Sequence, residues 1–331
     1  MTVNLSVIGL NQIGVSIGLA IQAGSHPITR IGTDLDIGNE RKALKMGAFD
    51  QVVHNLHEAV ENADIVVLCL PVDDTRKTLE VIAQSLKPGA VVFDTSVLKS
   101  AAQNWAASIF SEDRHFISFY PNLNPAYLEE RAHDLDNAHE DLFKKSIIMI
   151  GASDKTHPDA VKLAADFASL LGARPFFSDL AEAEGLTSLV HHLPQASAVA
   201  LYHAIEGQSG WREGRKIAGT VFLEALSPLV HMDERKDFGQ AMLLNSENTV
   251  RVIDAYIEEL RRLREMIARQ DAETLQKTIE SAVDGRISWL HKRQTQDWEH
   301  VPTPQLPTSG QWLGKLFTGG SRLRDLDKPK K

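Results

Sequence analysis

The sequence predicts an α/β protein in two parts, a doubly wound, mostly parallel sheet followed by an all-α domain. Three observations carry this expectation. A strand, a glycine-marked turn and a helix open the chain as Val7-Ile8-Gly9-Leu10-Asn11-Gln12-Ile13-Gly14. Short apolar runs then alternate with amphipathic stretches as far as Phe177, the rhythm of strands joined by crossover helices. Beyond Phe177 the strand-like runs cease and long helical segments replace them.

Taken in order, the expected strands are Leu5–Ile8, Arg30–Thr33, Gln51–Val53, Ile65–Leu70, Ala90–Asp94, Phe116–Phe119, Ser146–Ile150 and Arg174–Phe177. Helices fill the gaps, among them Ile13–Ala23, Asp74–Leu86 and His157–Leu171, and Lys87-Pro88-Gly89 is a helix-to-strand turn. The second part reads as helices over Leu180–Glu206, Lys216–Ala225, Arg235–Gln270 and Ala272–Lys292. Glu258, Glu259, Arg261, Arg262 and Arg264 are spaced for pairing along a solvated or intersubunit helix face. From about Gln294 the chain is rich in Pro and Gly and reads as an irregular tail, with one apolar patch at Trp312, Leu313, Leu316 and Phe317. The expected boundaries are 1–176, 177–293 and 294–331.

The opening turn has the spacing of a Rossmann-type dinucleotide site. Gly9 allows a tight turn, and Gly14 lets the helix pack on the strand. The amides of Gln12 and Ile13 then face a pyrophosphate at the positive end of the helix dipole. Asn11 stands where such turns carry a second glycine; asparagine tolerates left-handed backbone angles better than most residues, at the cost of side-chain volume. The next strand ends at Asp34, the expected place for a carboxylate that holds ribose hydroxyls. Asp34 and Asp36 repel a 2′-phosphate, so NAD is favoured; NADP stays possible through Arg41 or Lys42.

With 331 residues and 43% hydrophobic content, the chain can fill two cores. Its net charge of −9 argues against nucleic acid or an anionic membrane as the main partner. No apolar stretch is long enough to span a bilayer, and the N-terminus runs straight into a strand without room for a signal peptide. The lone cysteine, Cys69, lies in an apolar strand, reads as a buried small hydrophobe and suits a reducing cytoplasm. Nothing suggests a metal site.

Several segments together resemble the prephenate/arogenate dehydrogenase family. They are Gly14-Val15-Ser16-Ile17, Ala63–Val72, Leu86–Asp94, Thr95-Ser96-Val97-Leu98-Lys99, His191-His192-Leu193-Pro194-Gln195 and Asn245-Ser246-Glu247-Asn248. Order and spacing run through most of residues 3 to 292. The resemblance implies an NAD(P)-dependent enzyme of tyrosine biosynthesis that takes a hydride from a ring carbon bearing a hydroxyl, with decarboxylation. It also implies a substrate cleft between the domains, a homodimer formed by the helical domain, and cofactor contacts from Leu70, Pro71, Thr95 and Lys99. The family's histidine beside the ring hydroxyl falls on Tyr120, in Phe119-Tyr120-Pro121. Its supporting serine falls on Val97, leaving Ser96 or Thr95 to serve. Its arginine for the ring carboxylate has no counterpart in Gly219–Ser227, which leaves Arg212, Arg215 or Arg235 as the candidates to substitute.

The catalytic candidates are therefore Tyr120, Ser96 and His192. A tyrosine is a poor base near neutrality unless a cation lowers its pKa, and otherwise serves as a donor. His192 matches a family histidine that faces the cleft, and Pro194 beyond it kinks the helix and frees a carbonyl. Two alternatives stay open: a dehydrogenase for a different hydroxy acid, and a catalytically silent nucleotide-binding regulatory protein.

Overall fold

A computed structural model describes residues 2–24, 26–130, 134–229 and 235–297. The tail patch at Trp312, Leu313, Leu316 and Phe317 lies outside them, as does the side chain of Arg235.

Eight strands form one sheet in the order β3-β2-β1-β4-β5-β6-β7-β8. They are β1 (Val3–Ile8), β2 (Ile28–Thr33), β3 (Gln51–Val52), β4 (Ile65–Leu68), β5 (Val91–Asp94), β6 (His115–Pro121), β7 (Ile147–Gly151) and β8 (Arg174–Phe177). All neighbours run parallel except β6 and β7, which pair antiparallel with Tyr120 opposite Met149. The first six strands have the order of a doubly wound dinucleotide fold, whose crevice opens at the carboxyl ends of β1 and β4.

Helices α1 (Gln12–Ala23), α2 (Ile37–Lys45), α3 (Leu56–Val60), α4 (Val72–Ile82), α5 (Ser100–Ile109) and α6 (Pro158–Leu170) flank the sheet. Every residue of β4 and β5 is buried, as expected for strands covered on both faces. Alternation divides them between two cores. Ile65 and Val67 face Val15, Ile17 and Phe167, while Val66 and Leu68 face Leu79, Ile82 and Ala102. Phe93 stacks on Phe119 at 4.9 Å and meets Phe167 at 5.4 Å, an arrangement that adds about 1 kcal/mol per pair beyond burial.

The helical part comprises α7 (Leu180–Thr187), α8 (Leu193–Glu206), α9 (Trp211–Gly214), α10 (Thr220–Ala225), α11 (Arg235–Leu244), α12 (Ser246–Ala268) and α13 (Ala272–Thr295). Three expectations need correction. The segment Lys216–Ala225 is helical only from Thr220. The long helix from Arg235 breaks at Asn245, whose buried amide donates to the Glu184 carbonyl at 3.0 Å and to Ser188 Oγ at 2.9 Å. These side-chain bonds hold Asn245 out of the helical geometry of its neighbours (φ −123°, ψ 42°). The helix placed over Asp74–Leu86 instead spans Val72–Ile82 and starts directly after Pro71, where the missing amide costs nothing. The charged face of α12 carries the ion pairs Glu258–Arg261 and Glu259–Arg262.

Candidate active site

The opening turn joins β1 to α1. Gly9 has φ +94°, and a Cβ there would sit 2.2 Å from the Cys69 carbonyl oxygen. A Cβ on Gly14 would sit 2.1 Å from the Gly9 carbonyl oxygen, so both positions require glycine for close packing. Asn11 does not use a left-handed conformation: its φ is −84°. It works through its side chain instead. Oδ1 accepts hydrogen bonds from the Ile13 and Gly14 amides, both at 3.1 Å, and Nδ2 donates to the Cys69 carbonyl at 3.0 Å. Asn11 is thus the helix N-cap, lodged on two of the amides that open the helix. Gln12 is buried and donates to the Asn137 carbonyl at 2.9 Å, tying the loop after β6 to this turn.

Beside the turn is a cleft of about 500 Å³, lined in part by Gly9, Asn11, Asp34, Leu70, Pro71 and Thr78. Asp34 Oδ2 accepts from the Leu10 amide at 2.7 Å, and Oδ1 accepts from the Asp36 amide at 2.8 Å. Oδ1 also accepts from Asn39 Nδ2 at 3.3 Å, so the lone pair left for a further donor is on Oδ2. Of the two cations weighed against NAD, Lys42 pairs with Asp136 and Arg41 is exposed. Thr95 Oγ1 donates to the Leu68 carbonyl at 2.9 Å, so its hydroxyl bonds β5 to β4.

A second group gathers where β5 and β6 end and α7 crosses. Ser96 Oγ donates to Asp94 Oδ2 at 2.7 Å and accepts from the Leu98 amide, an internal turn that leaves its proton fully used. Lys99 is buried; its Nζ donates to the Ser96 carbonyl at 2.7 Å and lies 4.4 Å from the Tyr120 ring centroid. Burial lowers the Lys99 pKa to about 8, against the pull of Asp94 and Glu184. Burial also raises the Tyr120 pKa despite the ammonium over its ring, so Tyr120 stays protonated near neutrality. The condition for Tyr120 to act as a base is therefore not met. Glu184 belongs to α7, yet its Oε1 accepts from the Ser100 amide at 2.9 Å, joining the helical part to the start of α5.

His192 closes this group. It ends a single π turn, Ser188–His192, in which the Leu193 amide reaches back to the Ser188 carbonyl. Pro194 follows immediately, with no amide to continue an α-helical ladder. His192 Nδ1 lies 3.1 Å from Thr249 Oγ1, whose own proton goes to the Asn245 carbonyl at 2.8 Å. Thr249 can then only accept, so the network assigns the ring proton to Nδ1 and leaves Nε2 bare. That nitrogen is buried without a partner. Burial first, and Lys99 second, lower the His192 pKa to about 4, so the ring is neutral across the physiological range.

The structure brings Tyr120, Ser96 and His192 around Lys99, but Ser96 spends its hydroxyl proton on Asp94. The sequence reading missed Glu184, Thr249 and the buried Asp94. Nothing local distinguishes Glu184 among the acidic residues of α7, and Thr249 becomes legible only through the helix break at Asn245.

Two sequence models match the chain: "Prephenate dehydrogenase, nucleotide-binding domain" over residues 17–176 and "Prephenate dehydrogenase, dimerization domain" over residues 181–281. The chain belongs to the prephenate dehydrogenase family. Among its relatives, prephenate dehydrogenase of Bacillus subtilis (strain 168) is 26% identical, over 84% of this chain and 74% of that one. Cyclohexadienyl dehydrogenase of Zymomonas mobilis is also 26% identical, over 86% of this chain and 95% of that one. The fold resembles that of A. aeolicus prephenate dehydrogenase, solved with hydroxyphenyl propionate and NAD+, with TM-score 0.76, 19% identity and coverage of 87% and 98%. Within the prephenate dehydrogenase family, this chain places a protonated tyrosine and a bare histidine nitrogen around one buried lysine.

Proposed function

We propose that the protein is an NAD-dependent dehydrogenase that oxidises prephenate or arogenate at the ring carbon bearing the hydroxyl. One observation carries this reading: a neutral, buried imidazole with an unpartnered Nε2, beside a buried ammonium at the carboxyl ends of β5 and β6. A group of this kind is suited to receive a proton from a substrate hydroxyl in a site closed to water.

The residues fit a dinucleotide. The turn at Gly9 and Gly14 has no room for side chains, and Asp34 lines the adjoining cleft with an Oδ2 lone pair available for a ribose hydroxyl. Gly9, Asn11, Gln12, Ile13, Gly14, Asp34, Leu70 and Pro71 would hold the adenosine and pyrophosphate portions, with Thr95 and Lys99 toward the nicotinamide. NAD is preferred to NADP because Asp34 and Asp36 repel added phosphate while Lys42 is engaged by Asp136. When bound, the cofactor accepts the hydride.

The chain's own groups handle the proton. His192 Nε2 takes it from the ring hydroxyl as the carbon–hydrogen bond electrons depart. The bond to the ring carboxylate then breaks, its electron pair enters the ring, carbon dioxide leaves, and the phenolic oxygen recovers the proton. Tyr120 donates a hydrogen bond, and the Lys99 charge stabilises negative charge on the ring oxygen. The test is appearance of reduced nicotinamide with NAD-saturated protein and either substrate. Turnover with at least one is expected; none with both would end this assignment.

A homodimer through the helical part belongs to the same reading. Ile257, Leu260 and Ile267 on α12 and Ile279, Val283 and Ile287 on α13 are exposed apolar side chains, more than a solitary helix pair ordinarily leaves in water. Cytoplasmic residence accords with the single buried thiol, Cys69. Among the described residues no helix is long and apolar enough to cross a membrane.

A further inference from the structure

The cleft beside the opening turn extends beyond the groups assigned to phosphate and ribose. Past Asp34 its walls become largely apolar, with Leu35, Leu56 and Val81 continuing the same space of about 500 Å³. One imidazole lines it as well, that of His54. Strand pairing accounts for its position. β3 runs parallel to β2 with Val52 opposite Gly32, and the Val53 amide donates to the Gly32 carbonyl at 3.0 Å. Two residues further along each chain stand Asp34 and His54, at the ends of strands that neighbour each other at roughly 5 Å.

One buried carboxylate joins the two residues. Glu40, in the first turn of α2, accepts from the Asp34 amide at 3.2 Å, and the same Oε1 lies 3.2 Å from His54 Nδ1. An ionised carboxylate only accepts, so the network assigns the ring proton of His54 to Nδ1. In the neutral imidazole Nε2 is then an acceptor, and among the described residues no group donates to it. It is the nitrogen left for a ligand in the cleft.

We infer that His54 selects the purine base of the cofactor, Nε2 accepting a hydrogen bond from the 6-amino group of adenine. This rests on the dinucleotide reading of the cleft. A pyrophosphate at the turn after β1 and a ribose at Asp34 after β2 direct the bound adenosine toward β3, following the strand order β3-β2-β1. The base is the part of the adenosine that reaches the apolar walls and His54. The amino edge of adenine matches an acceptor there. The 6-oxo edge of hypoxanthine or guanine opposes it, because two acceptors then face each other. Glu40 is a positioning residue: it holds the tautomer of His54 and, through the Asp34 amide, links base and ribose recognition to one carboxylate.

Calorimetric titration of the full-length chain with NAD and with nicotinamide hypoxanthine dinucleotide tests the inference, in mildly alkaline buffer where imidazole is neutral. The two probes differ only along one edge of the base. The wild type should prefer NAD by about fivefold, the scale of one neutral hydrogen bond. His54→Phe keeps a ring in the cleft but removes the acceptor, and should abolish the preference by weakening NAD alone. His54→Gln, whose amide oxygen accepts, should recover part of it. The His54 side chain is 55% exposed, so neither variant puts folding at stake. The inference is overturned if the wild type binds both probes equally, if His54→Phe keeps the preference, or if that variant loses both affinities alike, as a merely structural residue would. Binding needs no second substrate. A preference carried by His54 in a protein that oxidises neither prephenate nor arogenate would leave the base selector standing and remove the dehydrogenase assignment. Binding of neither dinucleotide would remove the base selector together with the cofactor reading.

Discussion

Asn11 places its own carbonyl oxygen on the amides of Ile13 and Gly14, and a dinucleotide phosphate competes for the same donors. Asn11→Gly should therefore tighten NAD binding by about thirtyfold, since hydrogen bonds to a charged group are worth about 2 kcal/mol. Loss of the cap to glycine costs only a few tenths of a kcal/mol, so fluorescence titration should register the gain with little change in melting temperature. Lys99 and His192 are coupled in a similarly direct way. Lys99 is the second cause, after burial, of the low His192 pKa. In Lys99→Met that pKa rises, so the acid limb of the pH–rate profile should move up from about pH 4. An unmoved limb would disconnect His192 from proton transfer. At this scale the sequence was only partly legible. Gly9, Gly14 and Asp34 announce themselves by spacing, because a backbone turn and a strand-end acid depend on position alone. The bare nitrogen of His192 does not, because it depends on Thr249, 57 residues away along the chain.

Pro194 and the π turn before it form the element that sets His192 in place. Without an amide at Pro194 the ladder takes up one extra residue over Ser188–His192, which rotates the histidine relative to an uninterrupted helix. Pro194→Ala restores the amide and allows a regular helix. The melting temperature should hold or rise, while kcat falls by more than about tenfold as His192 turns off the site; unchanged kcat would show that the π turn has no positioning role. The elements themselves were well marked in the sequence. Continuous apolar runs such as Ile65–Leu68 give strands buried on both faces, and Pro71 and Gly89 punctuate them. The break at Asn245 was not marked, because its cause is a pair of bonds to α7 and to the π turn that no periodicity records. Nor does local sequence foretell that β7 runs against β6, since among its described residues the connection through 122–146 carries only two short 3-10 turns, Pro125–Tyr127 and Leu135–Asn137, and no α-helix.

For the whole molecule, the proposed homodimer would cover the exposed stripes of α12 and α13 with a second copy. Leu260→Glu puts a charge into that surface, and sedimentation should shift from dimer toward monomer; an unaltered dimer would move the interface elsewhere. One consequence of the opening turn concerns the molecule's interior as a reporter. The carbonyl of Cys69 is wedged against Gly9 and held by Asn11, while its thiol is buried with a pKa pushed up to about 12. As the chain's single cysteine, it is hidden from alkylating reagents until the middle of the sheet parts from the turn. Its labelling rate is thus a clock for that opening. Because NAD would clamp the same turn, the clock should slow in proportion to occupancy, giving an affinity without any substrate or turnover.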